Sequence, residues 1–290
     1  MLEAQSVTKR YGKKKALDQC SFRLKPYEIV GVLGRNGCGK STLFKSIMGL
    51  IKMSEGRLVY EGQDITETQR HRFGYMPEQR SLLPDLTLDE HLYWMGSLKK
   101  MDPSYLDERI QILTEQFGLD TKRHLAFHTF SKGQQQKAQL LTALLNDPNV
   151  LILDEPLNGL DLESVSFFMK QLKKLAAQGK IILISSHQME FMDELCTSFI
   201  VLNEGKVVKT GRLEQLLSNA CVVVKVNSTC DWTSVRKMAT EVKEVGTMIQ
   251  FSFNTLEEAS KLLSKVKTLS NLHTLRLESS SLVDVFLDNA

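Results

Sequence analysis

Hydrophobic residues in this chain gather in short unbroken runs. Positions 28–33, 150–153, 180–185 and 199–202 are almost wholly apolar, and each is bounded by glycine or polar residues. Runs of this length suit strands buried on both faces of a parallel sheet. Shorter stretches at 21–24, 57–60, 73–76 and 206–208 read as further strands. Between them the period lengthens, with apolar residues three and four apart across 41–50 and 162–177, the spacing of one helix face. Residues 87–146 read as wholly helical, in three or four helices, and Thr87 with Glu90 three positions later has capping-box spacing. Strands alternating with helices predict an α/β fold. Its sheet is mixed and mostly parallel, with a helical subdomain at about 87–146.

The character changes beyond Leu217, with a boundary expected at Ser218-Asn219 that divides 1–217 from 218–290. In the second part, 221–226, 248–253 and 274–277 read as strands, and 231–242 and 256–266 have helical spacing. A small C-terminal α/β accessory domain of split βαβ type is expected.

Composition narrows the classes without naming one. A chain of 290 residues with 42% hydrophobic content can bury a large core. The net charge of +3 is too small for a nucleic-acid surface, so no nucleic-acid partner is expected. Cys20, Cys38, Cys196, Cys221 and Cys230 are scattered without metal-type spacing and read as thiols in a reducing compartment. Met1 is followed by Leu2-Glu3-Ala4-Gln5, which lacks the basic-then-apolar start of a signal peptide. The purely apolar runs are about four residues long, against the roughly twenty of a membrane span. A cytoplasmic protein is expected, reaching a membrane only through another chain.

Candidate chemistry begins at Gly34-Arg35-Asn36-Gly37-Cys38-Gly39-Lys40-Ser41-Thr42, which fits G-x-x-x-x-G-K-[ST] between an expected strand and helix. That pattern is the phosphate-binding loop of nucleotide hydrolases. Its glycines let backbone N–H groups turn inward around phosphate oxygens, and the helix N-terminus adds partial positive charge. Lys40 can reach the β- and γ-phosphates, and the Ser41 hydroxyl can ligate Mg²⁺.

Asn149-Val150-Leu151-Ile152-Leu153-Asp154-Glu155-Pro156 is an apolar run ending in two acids. Alone it suits any strand end. Beside a phosphate loop, Asp154 becomes a candidate Mg²⁺ holder and Glu155 a candidate base for the attacking water. Phe130-Ser131-Lys132-Gly133-Gln134-Gln135-Gln136-Lys137 reads as a serine-capped polar helix start, where a hydroxyl, N–H groups and dipole form an anion site.

Together these segments resemble the ATP-binding cassette (ABC) ATPases, whose signature is usually written L-S-G-G-Q. The resemblance spans residues 1 to about 215. It implies a P-loop NTPase cassette, binding of ATP and Mg²⁺, and ATP hydrolysis. By this resemblance Tyr11 stacks on adenine, Gln79 after Met76-Pro77-Glu78 is the Q-loop glutamine and a metal contact, and Gly159-Leu160-Asp161 is the D-loop. His187 corresponds to the switch histidine. Ser131, Gly133 and Gln134 would face the γ-phosphate of a second subunit, so that two chains sandwich ATP head to tail. Tyr11, beside Arg10 and Lys13, equally suits a strand end.

Two departures stand out. Lys132 replaces the first glycine of the usual pair, which places a cation near the neighbouring chain's phosphates, and Phe130 replaces the leading leucine. The serine-lysine-glycine variant is similar to that of drug- and sodium-exporter ATPases. The closing Ser281-Leu282-Val283-Asp284-Val285-Phe286-Leu287 resembles the tail of their C-terminal domain. The resemblance therefore implies the ATPase subunit of an exporter, forming a homodimer or heterodimer on integral-membrane permease subunits at the inner face of the cell membrane. An importer ATPase is the alternative within the family. A non-transport ABC ATPase and a regulatory ATP binder are the alternatives outside transport.

Overall fold

The computed structural model describes residues 1–79, 81–216, 222–228, 236, 239, 241–245, 248–253 and 272–278. The chain divides into two compact units, Met1–Gly211 and Arg212–Asp288. The division falls a few residues before the expected Ser218-Asn219.

The centre of the first unit is a six-stranded sheet built on β3 (Ile29–Leu33), β6 (Phe73–Met76), β7 (Val150–Asp154), β8 (Ile181–Ser185), β9 (Ser198–Asn203) and β10 (Lys206–Gly211). Its order is β10-β9-β3-β8-β7-β6. Five strands run parallel, and β10 returns antiparallel along β9. Every residue of β3, β7 and β8 is buried, as expected for continuous apolar runs covered on both faces. Ile152 and Leu183 are fully buried, and truncating either to alanine would cost about 2–5 kcal/mol. Helix α1 (Lys40–Ile47) follows β3, and α6 (Leu162–Ala177) precedes β8.

A second sheet is antiparallel and comprises β1 (Leu2–Tyr11), β2 (Lys14–Leu24), β4 (Glu55–Tyr60) and β5 (Gln63–Asp64), in the order β2-β1-β4-β5. The sequence reading found only the ends of β2 and β4 and missed β1. The cause is local: Ser6 and Gln19 have φ of 51° and 53°, and the β1–β2 register shifts between Ala4 and Val7 and again before Lys9. Such bulges break the period of two by which a strand is recognised. The buried positions run Leu2, Ala4, then Val7.

Helix α2 (Glu67–Arg70) precedes β6. The helical segment after it holds α3 (Leu88–Leu98), α4 (Pro103–Phe117) and α5 (Lys132–Leu144), with two 3₁₀ turns at Asp120–Lys122 and Phe127–Thr129. Residues 87–146 are thus three helices joined by turns and not helical throughout. The starts are those the sequence encodes. Thr87 and Glu90 form the capping box of α3, Asp102 caps α4 with Pro103 in its first turn, and Ser131 with Gln134 forms the capping box of α5. Gly118, at φ 64°, closes α4. His91 is buried, with ring centroids 5.3 Å from Phe127 and 6.3 Å from Trp94. Phe127 in turn packs edge-on against Phe130, just ahead of Ser131. Helix α7 (Met189–Leu195) lies between β8 and β9.

The second unit begins with α8 (Leu213–Leu216), and its described strands are β11 (Val222–Ser228), β12 (Glu241–Val245), β13 (Met248–Phe253) and β14 (Leu272–Glu278). They form an antiparallel sheet in the order β12-β13-β11-β14, with Phe251 and Phe253 fully buried. The expected helix over 231–242 is corrected at its end. Residues 241–242 start a strand, in which Val242 pairs with Phe251 and Val245 with Met248. The rest of that helix is mostly outside the described residues, and the expected helix at 256–266 and the Ser281 to Leu287 tail are wholly outside them.

Candidate nucleotide-binding and catalytic site

The carboxyl end of the parallel sheet carries the chemistry, the position that favours ligands in open α/β sheets. Strand β3 runs into the 34–42 loop, and the loop into α1. Gly39 precedes the helix at φ 115°, and a Cβ there would stand 2.5 Å from the Ala16 carbonyl oxygen. Only glycine fits both demands. No side chain caps α1, whose first-turn N–H groups lie at the loop. Lys40 is buried, and its ammonium donates to the carbonyl oxygens of Gly34 at 2.7 Å and Arg35 at 3.3 Å.

Strand β7 delivers the acids. Asp154 is paired in register with Ser185 of β8. The Ser185 hydroxyl donates to Asp154 Oδ1 at 2.7 Å and accepts the Glu155 backbone N–H at 3.0 Å. One buried hydroxyl therefore fixes both acidic residues. Glu155 has φ 51°, a conformation that costs a non-glycine residue about 1–2 kcal/mol and turns its side chain out of the strand line. Its carboxylate accepts the His187 backbone N–H at 3.1 Å and lies 3.3 Å from His187 Nε2. Burial pushes the Glu155 carboxyl above the usual range, opposed by His187 and then by Lys40.

These groups meet in one cleft of about 650 Å³, within the range of a nucleotide pocket. Tyr11, Asn36, Gly37, Gly39, Lys40, Ser41, Thr42, Asp154, Glu155 and His187 all line it. Gly34 sits beneath the loop, against the Leu202 carbonyl oxygen and Cys38 Sγ. Cys38 is buried, its thiol pushed up by burial, so it packs under the loop and does not line the cleft. Gln79 is exposed and outside the lining, where its neighbour Glu78 takes a place. Ser131, Gly133 and Gln134 also lie outside it, at the head of α5.

Sequence reasoning missed several participants. Lys14, Ala16 and Asn158 complete the lining. Ser185 anchors the acids, and Gln136 donates to the Pro156 carbonyl at 2.8 Å. A hydroxyl closing an apolar strand was the available signal for Ser185; nothing at Lys14 or Asn158 distinguishes them from ordinary loop residues. Lys132, expected to face a neighbouring chain's phosphates, is exposed, with its ammonium beside Gly159 of its own chain.

A Walker-type loop, an uncapped helix start, a buried lysine and a carboxylate pair define a P-loop nucleotide hydrolase. A profile of the ABC transporter family matches residues 17–158. The chain is 32% identical over 293 residues to the Nod factor export ATP-binding protein I of Sinorhizobium fredii, covering 99% of this chain and 84% of that protein. It resembles the solved ATP binding subunit of an ABC transporter at 30% identity and a TM-score of 0.69, over 75% of this chain and 92% of that one. It also resembles the dimeric structure of MJ0796, a bacterial ABC transporter cassette, at 26% identity and a TM-score of 0.66, over 73% and 99% of the two chains. The chain belongs to the ABC transporter ATP-binding proteins. It is an ATP-binding, ATP-hydrolysing subunit of an ABC transporter.

Proposed function

We propose that this ATPase powers an exporter by closing two cassettes head to tail over ATP. The observation that carries this reading is the separation of two anion-binding elements in one unit. The cleft gathers Lys40, Asp154, Glu155 and His187, while Ser131, Gly133 and Gln134 stand outside it. A second copy, or a related ATPase, would bring its α5 N-terminus to the open side of the cleft.

In this reading residues 1–217 are the nucleotide-binding domain and 218–290 an accessory domain. Tyr11, exposed at the cleft mouth, stacks on the base. Loop N–H groups from 34–42 and the Lys40 ammonium meet the phosphate oxygens. The hard oxygens of Ser41 and Asp154 line the same cleft and fit Mg²⁺, with Gln79 as a further contact from the loop after β6. A metal held there would neutralise phosphate charge. Among the described residues no cluster of three His, Cys, Asp or Glu offers another metal site. Glu155, held high by burial, accepts a proton from water, and His187 orients it and contacts the γ-phosphate.

Among the described residues no helix is long and apolar enough to cross a membrane. Transport then requires permease subunits, which would hold this chain at the inner membrane face. A groove of about 590 Å³ walled by Leu50, Phe73, Tyr75, Pro77 and Met95 offers such a partner apolar surface. Tyr75 links it to the chemistry: burial and then the charges of Asp154 and Glu78 push its hydroxyl up to about 12. Export is favoured because the relative named for export aligns with 99% of this chain, through both units.

Affinity purification of the full chain from detergent-solubilised membranes tests the direction. A multispan membrane protein without a solute-binding protein is expected. A stably bound solute-binding protein would overturn export, and recovery of the chain without any membrane protein would overturn transport.

A further inference from the structure

Tyr11 does not stand alone at the cleft mouth. The Lys9 ammonium lies 4.9 Å from the centroid of its ring, within cation–π range. Alternate residues of a strand share one side, so Lys9 reaches Tyr11 directly along β1. The cation is held there. Lys9 is half-buried, and its Nζ donates to the Lys52 carbonyl oxygen at 2.8 Å. Tyr11 is 52% exposed and lines the nucleotide cleft, which leaves ring surface for a ligand.

Lys52 belongs to the segment that leaves α1. The Lys45 carbonyl, in the last turn of that helix, accepts the Leu50 N–H at 2.9 Å. Further on, the segment grips the end of β1. Ser54 N–H donates to the Thr8 carbonyl at 2.8 Å, and Arg10 N–H donates to the Ser54 hydroxyl at 3.0 Å. The Arg10 guanidinium pairs with Glu55 at 2.8 Å. Helix α1 itself opens on the phosphate loop at Lys40. One helix and its tail therefore carry the phosphate loop at one end and the support of Tyr11 at the other.

We propose that Lys9 is a positioning residue of the base site, acting through Tyr11. This rests on the reading in which Tyr11 stacks on the base. The cation holds one face of the ring and draws electron density toward itself, leaving the opposite face poorer in electrons. Such a face stacks more strongly on an electron-rich purine than on a pyrimidine. Tied to Lys52, the ammonium also fixes the ring relative to the phosphate loop, so that base and phosphates meet one preformed surface. Lys9 thus supplies affinity and base preference and takes no part in cleavage.

Hydrolysis of ATP and CTP by the full chain, and inhibition by inorganic tripolyphosphate, test this in Lys9→Met, Lys9→Arg, Tyr11→Ala and the Lys9→Met/Tyr11→Ala double variant. Lys9→Met keeps the length of the side chain and loses its charge. It should raise half-saturating ATP about threefold to fivefold and leave kcat unchanged. Half-saturating CTP should rise less, so that the preference for ATP narrows. The inhibition constant of tripolyphosphate, which has no base, should stay at its wild-type value. Lys9→Arg should behave as wild type, because a guanidinium also sits on ring faces. Tyr11→Ala should raise half-saturating ATP about tenfold, and adding Lys9→Met to it should change nothing more.

A Lys9→Met variant that weakens ATP, CTP and tripolyphosphate alike, or lowers kcat, would overturn the role of Lys9. So would an arginine variant no better than methionine, or a Lys9→Met loss that persists in full without Tyr11. Wild-type ATP saturation in Lys9→Met beside a weakened Tyr11→Ala would overturn Lys9 and leave the stacking reading standing. Wild-type saturation in Tyr11→Ala would sink the stacking reading itself, and the proposal with it.

Discussion

Two helix starts in the same unit are built in opposite ways. Helix α1 opens on Gly39, with no side-chain cap, beside a buried lysine and two acids. Helix α5 opens on Ser131, whose hydroxyl accepts the Gln134 N–H while Gln134 Oε1 accepts the Ser131 N–H. The first leaves its donors to a ligand and has its chemistry around it. The second satisfies itself and has none of the acids at hand. A dipole at a helix start attracts an anion in either case, yet only the first has the means to cleave one. The difference teaches that anion affinity comes from the helix start itself, whereas the acids accompany only one of the two starts.

The strongest way to break this contrast is at the base. Glu155→Gln should bind ATP, lose turnover by about 10²-fold or more, and accumulate as an ATP-bound dimer on size-exclusion chromatography. Near-normal turnover would remove Glu155 from its role. As the proposed base, Glu155 acts when deprotonated, and burial holds its proton more tightly than usual. The acid limb of kcat/KM should therefore lie above the ordinary glutamate value of about 4.3.

The two helix starts should also respond differently to substitution. Lys40→Ala should weaken binding of a fluorescent ATP analogue by about 10–100-fold, since it removes a buried charge partner of the phosphates. Ser131→Arg should leave that binding intact and block ATP-driven dimerisation. Equal loss of binding in both variants would argue against a composite site.

A subtler test concerns Ser185, which lies outside the cleft lining. Ser185→Ala strips the shared hydroxyl from Asp154 and from the Glu155 N–H. About a tenfold fall in kcat is expected from misplaced acids, with about 1–3 kcal/mol lost in denaturant unfolding. Unchanged kcat would show that the strand alone positions the acids.

The smallest effect on nucleotide binding is expected from truncation after residue 217. The cassette should bind ATP within about twofold of the full chain, because none of the described residues beyond His187 lines the cleft. We expect the accessory domain to hold two chains together between cycles, so the truncated, nucleotide-free protein should shift toward monomer in analytical ultracentrifugation. Identical monomeric sedimentation of both chains would favour a regulatory or partner-docking role.

Much of this site was legible in sequence because its chemistry is local. The loop from Gly34 to Thr42 and the acids after Leu153 are contiguous, and contiguity preserves spacing. Where two strands must cooperate, spacing carries no message. Ser185 acts on Asp154 through a parallel register, and Tyr11, named by resemblance alone, reaches the cleft on β1, a strand masked by its bulge at Ser6. Strand β12 was hidden differently, since its two valines three apart also satisfy a helical period. Gln79 exposes a further limit. Its place after Pro77-Glu78 identifies the loop, but the loop's conformation decides which side chain faces inward, and here Glu78 does.

The aromatic packing under α5 makes this chain its own instrument. Trp94 is one of only two tryptophans, and its indole lies edge-on to the buried His91 imidazole. A neutral imidazole leaves indole emission largely intact, whereas an imidazolium quenches it on contact. Burial pulls the His91 pKa below its ordinary value, so the quenching step should fall below about pH 6.5. Above that pH, changes in Trp94 emission would report repacking of His91 against Phe127 and Phe130. Fluorescence of the unlabelled protein could then follow the region beneath the α5 head in real time.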